Sequence, residues 1–212
     1  MNNFCARLIT GISLILILAM VILFLPKIFL SGLFLLIFLE ILVLEWPKIA
    51  GKSIGFWLFG LIYLGLSIGL MIWLNHTGQS YILYLILITV PASDIGAYLV
   101  GKSIGKHKLC PKISPNKTWE GFAGGCLAVF IVLFVFTKKL YLIHQIPCLL
   151  IISIIITTLA TLGDLFESWL KRRAGIKDSG NLLPGHGGLL DRVDSFTFVV
   201  IFTCMFKVLF KF

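Results

Sequence analysis

Residues 54–74 read I-G-F-W-L-F-G-L-I-Y-L-G-L-S-I-G-L-M-I-W-L, a run without one charged side chain. A helix needs roughly 20 mostly apolar residues to cross the hydrocarbon core of a bilayer, so this run is long enough to span a membrane. The whole chain has the same character, because 59% of its 212 residues are hydrophobic and only 13% are charged. A soluble domain averages about a quarter charged residues. The composition therefore predicts an integral membrane protein.

Six other stretches of the chain have a similar length and composition. The predicted spans are residues 8–25, 28–44, 54–74, 81–100, 121–136, 147–162 and 195–212. Pro26 separates the first two, and the Trp46-Pro47 pair is expected to end the second, because proline interrupts a helix. The predicted fold is therefore an all-α polytopic membrane protein with about seven transmembrane helices.

The basic residues indicate the orientation of these spans. If the N-terminus is cytoplasmic, 13 of the 18 lysines and arginines fall in inner segments and 5 in outer segments. Since inner segments are enriched in Lys and Arg, we expect the polar loops 101–118 and 163–194 to face the cytoplasm. The net charge of +9 suits anionic headgroups or substrates. It does not indicate nucleic-acid binding, since the basic residues lie between apolar spans and form no single stripe.

The segment G-A-Y-L-V-G-K-S (residues 96–103) formally matches the phosphate-binding P-loop. A P-loop must follow a strand and form a flexible loop, whereas these residues are the apolar end of the fourth span. We therefore predict that the match has no nucleotide-binding meaning. In a helix, Asp94, Tyr98 and Lys102 would instead share one face.

The acidic residues are few and clustered. Of nine in the chain, five lie at or within the predicted cytoplasmic ends of spans: Asp94, Asp164, Glu167, Asp191 and Asp194. A carboxylate at such depth is costly unless it is paired or binds a cation. Asp164, Glu167, Ser168 and Lys171 share one helix face, as do Asp191 and Asp194. Such paired carboxylates suit Mg²⁺, and pairing of each acid with a loop lysine or arginine is the alternative.

Both polar loops also carry features that suit phosphate binding. The second loop is rich in glycines, which allow backbone N–H groups to approach an anion closely, and His186 lies between two of them. In the first loop, Ser114, Asn116, Lys117 and Thr118 precede a helix N-terminus, where anions bind readily. Thr118 is expected to cap that helix. Gly121 and Gly125, four residues apart, are expected to allow tight helix packing.

The second loop resembles a known family. Residues 168–194, S-W-L-K-R-R-A-G-I-K-D-S-G-N-L-L-P-G-H-G-G-L-L-D-R-V-D, fit without a gap the signature of the phosphatidate cytidylyltransferases, also called CDP-diacylglycerol synthases. The segments S-D-I-G-A-Y (93–98), S-P-N-K-T-W-E-G (114–121) and G-D-L-F-E-S (163–168) are similar to that family in the same order. The resemblance thus covers roughly residues 90–200, and Glu45-Trp46 also looks similar.

The resemblance implies that CTP and phosphatidate react to CDP-diacylglycerol and pyrophosphate, a nucleotidyl transfer in phospholipid biosynthesis. It implies Mg²⁺ as cofactor, leaves a second cation such as K⁺ open, and implies a homodimer in a bacterial-type inner membrane, with the active site facing the cytoplasm. Residues 1–80 would supply N-terminal transmembrane helices. Residues 81–212 would form the catalytic region of the same membrane-embedded unit.

The resemblance also implies roles for individual residues. The expected catalytic residues are Asp164, Asp191, Lys171, Arg172 and His186, and the expected metal ligands are Asp164, Asp191 and Asp194. The expected substrate-binding residues are Asp94, Ser114, Asn116, Lys117, Thr118, Ser168, Lys177, Asp178, Gly187, Gly188 and Arg192. Two alternatives are a CTP-dependent lipid-alcohol kinase, which would transfer the γ-phosphate, and a transporter, which would carry charges near the membrane midplane in repeated halves.

Overall fold

The structure, a computed structural model, describes residues 13, 16–139, 146–180, 182 and 187–210. Helices dominate these residues. The elements are α1 (16–24), α2 (Lys27–Glu40), a π-helical turn (Ile41–Glu45), α3 (Trp46–Ala50), α4 (Ile54–His76), α5 (Ser80–Ile104), β1 (Lys108–Cys110), β2 (Ser114–Thr118), α6 (Trp119–Lys139), α7 (Ile146–Arg173) and α8 (Leu190–Phe210).

Five helical segments among the described residues are long and apolar enough to cross a membrane. They are Lys27–Ala50, Ile54–His76, Ser80–Ile104, Trp119–Thr137 and Ile146–Arg173. This confirms a mostly helical protein with several membrane-spanning helices. The predicted span at 8–25 lies partly outside the described residues, and the one at 195–212 corresponds to most of α8. The count of seven spans and the cytoplasmic N-terminus stay predictions.

The helix end expected at the Trp46-Pro47 pair is wrong, because the helix continues to Ala50. The π-helical turn explains how Pro47 is tolerated. The Trp46 N–H donates to the Ile41 carbonyl, five residues back, and the α-helix restarts at Trp46 with Pro47 in its first turn. Proline is compatible with that position, since the N–H groups of a first turn lack helical acceptors.

The all-α expectation misses a short hairpin in the loop between α5 and α6. Strands β1 and β2 are antiparallel, with Lys108 opposite Thr118 and Cys110 opposite Ser114. The Trp119 N–H donates to the His107 carbonyl at 3.0 Å, which ties the base of the hairpin to the start of α6. The hairpin thereby fixes the residues just before α6.

The two polar loops are shorter than predicted. Because α5 extends to Ile104, α7 extends to Arg173 and α8 begins at Leu190, the connections are residues 105–118 and 174–189. Helix α7 ends where Gly175 adopts a φ of 73°. The Ile176 N–H donates to the Lys171 carbonyl and the Gly175 N–H to the Arg172 carbonyl, the pattern of a Schellman cap.

Glycines allow α5 and α6 to pack closely. A side chain at Gly121 would lie 2.8 Å from the Ala97 carbonyl, and one at Gly125 would lie 3.1 Å from the Ser93 carbonyl, which confirms the packing predicted for this pair. Gly96, the first residue of the formal P-loop match, packs in the same way against the Gly124 carbonyl. The whole match lies within α5, so it is helical, as predicted.

Candidate active site

A cavity of about 440 Å³ opens at one end of the helix bundle. It lies between the C-terminal parts of α5 and α7, the hairpin, and the N-terminal ends of α6 and α8. Its polar lining, among the described residues, is Ser93, Asp94, Tyr98, Ser114, Asn116, Lys117, Thr118, Thr161, Asp164, Lys171, Asp178, Asp191, Arg192, Asp194 and Ser195. The fold thus brings residues of both polar loops and of the adjoining helices into one site, although up to 102 positions separate them in the chain, from Ser93 in α5 to Ser195 in α8.

The lining of the cavity is more acidic than basic. Five carboxylates line it within the described ranges, against three basic side chains: Asp94, Asp164, Asp178, Asp191 and Asp194 against Lys117, Lys171 and Arg192. Because like charges repel one another in a site of low dielectric, an anionic ligand requires additional positive charge here. The excess of carboxylates over basic side chains therefore favours the binding of a cation in this cavity.

Three carboxylates lie close enough to hold one metal ion. One oxygen from each of Asp164, Glu167 and Asp194 lies within 4.8 Å of the others. Within the described part of the chain, the buried Oε1 atom of Glu167 accepts no hydrogen bond. Such an oxygen is available to bind a metal ion. Burial, together with the nearby charges of Asp164 and Glu167, raises the pKa of Asp194 well above its ordinary value. Hard cations such as Mg²⁺ prefer this oxygen donor set, so these residues fit a divalent ion.

Lys171 joins two acids at the edge of this cluster. It is only 8% exposed, and its Nζ atom lies 2.8 Å from Glu167 Oε2 and 2.6 Å from Asp191 Oδ1. An ammonium group has three N–H donors, and these two acids take two of them. Since Lys171 also lines the cavity, the third donor can serve a bound anion.

Asp191, expected from the sequence to bind metal, lies outside the three-carboxylate cluster. Its Oδ2 atom accepts hydrogen bonds from the Gly188 N–H at 2.9 Å and from the Ser179 N–H at 3.4 Å. Burial raises its pKa, but the hydrogen bonds from Lys171 and Gly188 more than offset this, so the pKa lies below its ordinary value. Gly187 has a φ of 86°, and a side chain there would meet Asp191 Oδ2 at 2.6 Å. Glycine is therefore required beside this carboxylate.

The hairpin brings a second lysine into the site. Lys117 Nζ lies 2.6 Å from Asp164 Oδ2, and the Ser168 hydroxyl donates to Asp164 Oδ1 at 3.2 Å. The Thr118 hydroxyl accepts a hydrogen bond from the Gly121 N–H at 3.1 Å, which confirms the predicted helix cap. Ser114 and Asn116 line the cavity on the same strand.

Several predicted site residues have other positions. Of the described residues, neither Arg172 nor Lys177 lines the cavity, and both are exposed. Arg172 Nη1 donates to the Ile176 carbonyl at 3.2 Å, beyond the end of α7. Ser168 and Gly188 contact the site indirectly, through Asp164 and Asp191. The prediction for His186 lies outside the described residues.

Sequence reasoning gave no role to Glu45, the residue that ties the N-terminal helices to the site. It is 1% exposed and bonds the segment that carries Asp191. The sequence does contain a signal, because a glutamate at the end of an apolar span is costly unless it is paired. The sequence identifies Glu167 as an acid on the α7 face but does not indicate that it joins Asp164 and Asp194 in the three-carboxylate cluster.

The amino-acid sequence matches a known protein family over nearly its whole length. The model of the cytidylyltransferase family matches residues 3–210. The chain belongs to the cytidylyltransferase family.

Several curated relatives of this chain are named phosphatidate cytidylyltransferase. The protein of Bacillus subtilis strain 168 is 45% identical over 166 residues, covering 75% of this chain and 60% of the relative. That of Staphylococcus epidermidis strain RP62A is 44% identical over 164 residues, covering 77% and 63%. That of Staphylococcus aureus strain COL is 45% identical over 167 residues, also covering 77% and 63%. The chain thus spans 60–63% of the length of these relatives.

Proposed function

We propose that this protein is a phosphatidate cytidylyltransferase that makes CDP-diacylglycerol and pyrophosphate from CTP and phosphatidate. The observation that carries the proposal is the cavity, where clustered carboxylates and three basic side chains meet at one end of a membrane-spanning bundle. A lipid phosphate and a nucleotide triphosphate can meet at such a place, because the bundle lies in the bilayer and the cavity opens at its end. The relatives' names support the same reaction.

Asp164, Glu167 and Asp194 would hold Mg²⁺, for which their oxygen atoms are suitably close. The bound ion would neutralise charge on the triphosphate and polarise the phosphorus under attack. The sequence-based assignment of Asp191 as a metal ligand is revised here, since its oxygens are taken by Lys171 and two backbone N–H groups. We propose that Asp191 orients Lys171. A second cation such as K⁺ would have Asp94 available as a ligand, since Asp94 also lines the cavity.

In the proposed reaction, an oxygen of the phosphatidate phosphate forms a bond to the α-phosphorus of CTP. The bond from that phosphorus to the bridging oxygen breaks, and pyrophosphate leaves with the electron pair. The attacking oxygen is already anionic, so no strong general base is needed. The protein would contribute positioning and charge stabilisation, with Lys171, Lys117 and Arg192 facing the phosphates.

The remaining side chains of the cavity would select and hold the nucleotide. Ser114, Asn116 and Thr118 place hydroxyl and amide groups on the wall formed by the hairpin. Asp178 comes from the opposite loop. Arg172, Lys177 and His186 remain proposed contributors to phosphate binding. For the exposed Lys177 this requires the 174–189 loop to move towards the cavity. For the exposed Arg172, which lies on α7, it requires another side-chain orientation without the bond to the Ile176 carbonyl.

The excess of basic residues in segments 101–118 and 163–194 supports a cytoplasmic location for the site. We propose an inner-membrane protein of a bacterial-type cell that acts as a homodimer, with residues 1–80 and 81–212 in one membrane-embedded unit. Cross-linking in intact membranes tests the dimer. Cysteine labelling of loop 105–118 from either side of the membrane tests the orientation, and labelling from the periplasmic side alone would contradict it.

The reaction is tested in proteoliposomes with phosphatidate, Mg²⁺ and CTP labelled separately at the α and γ positions. We expect the α label in the lipid and the γ label in pyrophosphate. Transfer of the γ label to the lipid would identify a kinase and refute the proposal. Asp164→Asn is the matched impaired variant, expected to lower the rate at the Mg²⁺ concentration that suffices for wild type, because it keeps the side-chain size while removing the charge that Lys117 and the metal would share.

A further inference from the structure

Glu45 is a buried carboxylate outside the cavity lining. It ends the π-helical turn, is 1% exposed, and accepts three hydrogen bonds of 2.8 Å each. Its Oε1 atom accepts from the Leu189 N–H, and its Oε2 atom accepts from the Leu190 N–H and the Ser179 hydroxyl. A buried charge with three donors is satisfied, so its position is strongly determined.

The partners of Glu45 lie at the two ends of the segment 179–190, which ends at the first residue of α8. Ser179 lies at its beginning, whereas Leu189 and Leu190 lie at its end and at the start of α8. Lys48, one turn beyond Glu45, donates to the Ser179 carbonyl at 2.8 Å. Side chains at Gly180 and Gly188 would overlap Glu45, so these glycines allow the carboxylate to lie between both ends. Glu45 thus holds the two ends of the 179–190 segment together.

Asp191 binds the same two ends from the side of the cavity. Its Oδ2 atom accepts from the Ser179 and Gly188 N–H groups, and its Oδ1 atom accepts from Lys171. Glu45 and Asp191 therefore both hold Ser179 together with residues 188–190. A change in the contacts of Glu45 moves the backbone donors of Asp191 and, through Asp191, the ammonium group of Lys171.

We propose that Glu45 is a positioning residue for the transfer reaction: it closes the 179–190 segment and thereby fixes Asp191 and Lys171 at the cavity. This inference rests on the proposed function for its effect on turnover. The N-terminal helices would then take a direct part in building the active site, in addition to holding the protein in the membrane.

The test compares Glu45→Gln with Glu45→Asp. Glutamine keeps the length but replaces one acceptor oxygen by an NH₂ donor, which must face a backbone N–H or the Ser179 hydroxyl. We expect kcat per folded protein to fall roughly 10- to 100-fold, because small displacements of reacting groups have effects of this size. The KM for CTP is expected to change less, since Glu45 does not line the described cavity. Glu45→Asp keeps the charge and is expected to recover part of the rate.

A matched control is Glu40→Gln, the same substitution five residues earlier in the chain, at the end of α2. We expect it to keep the wild-type kcat. Ser179→Ala removes one of the three donors to Glu45 and should lower kcat less than Glu45→Gln does. The double variant should lose little more than Glu45→Gln alone, because both changes act on one contact. If Glu45→Gln does not fold, Glu45→Asp and Ser179→Ala carry the same comparison.

A second measurement does not depend on activity. Lys177 is exposed and lies two residues before Ser179, the first residue of the 179–190 segment, so trypsin cleavage after Lys177 reports how firmly that end of the segment is held. We expect faster cleavage in Glu45→Gln than in wild type and no change in Glu40→Gln. Wild-type kcat and cleavage rates in folded Glu45→Gln would overturn the inference. An inactive wild type with faster cleavage in Glu45→Gln would instead refute the proposed function and leave the loop anchoring supported.

Discussion

Replacement of Lys171 by methionine tests the buried charge network most directly. Lys171 Nζ is 2.8 Å from Glu167 Oε2 and 2.6 Å from Asp191 Oδ1, and methionine keeps most of the side-chain volume while removing the charge. Asp191 would retain the N–H groups of Gly188 and Ser179. The Oε2 atom of Glu167 would lose its ion pair with Lys171. The main cost is therefore an uncompensated buried carboxylate.

Removal of one partner from a buried ion pair costs about 3–5 kcal/mol. For a chain of this size, 1 kcal/mol shifts the unfolding midpoint by roughly 2–4 °C, so Lys171→Met should lower it by roughly 6–20 °C. The assay is thermal unfolding in detergent followed by intrinsic tryptophan fluorescence, without added metal. Lys177→Met is the matched control, since Lys177 is exposed, and should shift the midpoint by less than about 2 °C.

The double variant Lys171→Met/Glu167→Gln identifies the source of the loss. A neutral amide at position 167 no longer leaves a buried charge, so the midpoint should rise again towards the wild-type value. A Lys171→Met variant as stable as Lys177→Met would refute the reasoning. So would a double variant less stable than either single one, because Glu167 would then stabilise the protein in some way other than through Lys171.

Three further predictions concern the metal, the loop and the P-loop match. Asp164→Asn and Asp194→Asn should each raise the Mg²⁺ concentration for half-maximal activity about tenfold or more, measured by titration after treatment with a chelator; unchanged midpoints would remove these residues from the metal site. Gly188→Ala should destabilise the protein far more than Gly175→Ala, because a side chain at Gly188 would overlap Glu45 and Ser179. A side chain at Gly175 would meet open space, and its only cost is the positive φ, about 1–2 kcal/mol. Equal midpoints of the two variants in thermal unfolding would contradict this prediction. Lys102→Ala should keep kcat within about threefold of the wild-type value. This exposed lysine bonds only Tyr98 among the described residues, and a surface pair contributes at most about 1 kcal/mol. Loss of CTP turnover would instead indicate that the P-loop match binds nucleotide.

The sequence predicts the features of this fold that depend on local composition. Hydropathy identifies the membrane-spanning helices, since each must satisfy its own backbone and expose apolar side chains to lipid. The cap at Thr118 and the close packing at Gly121 follow from residue type and spacing. The acids at the ends of the spans indicate the place of the site, because such residues are costly unless they have partners.

The sequence does not predict the partners that lie far apart in the chain. Glu45 and Ser179 are 134 positions apart, and no spacing rule connects them. The choice between Glu167 and Asp191 as a member of the carboxylate cluster depends on how α7 and α8 meet, which places Lys171 between them. The hairpin is missed because the strands, only three and five residues long, lack the alternation of a buried strand.

The π-helical turn at Ile41–Glu45 determines the rotational phase between α2 and α3. A π-helical turn accommodates one residue more than the α-helix, and each residue of an α-helix advances it by about 100°. If residues 41–45 formed regular α-helix instead, the extra residue would rotate α2 by about 100° relative to Glu45, and the buried faces of Leu30 and Phe34 would turn away from their neighbours. Deletion of one residue from positions 41–44 would remove the extra residue and allow a continuous α-helix that keeps both buried faces in place. A deletion between Phe34 and Glu40 would have no such turn to absorb it, and would force a choice between the packing of α2 and the anchoring of the 179–190 segment.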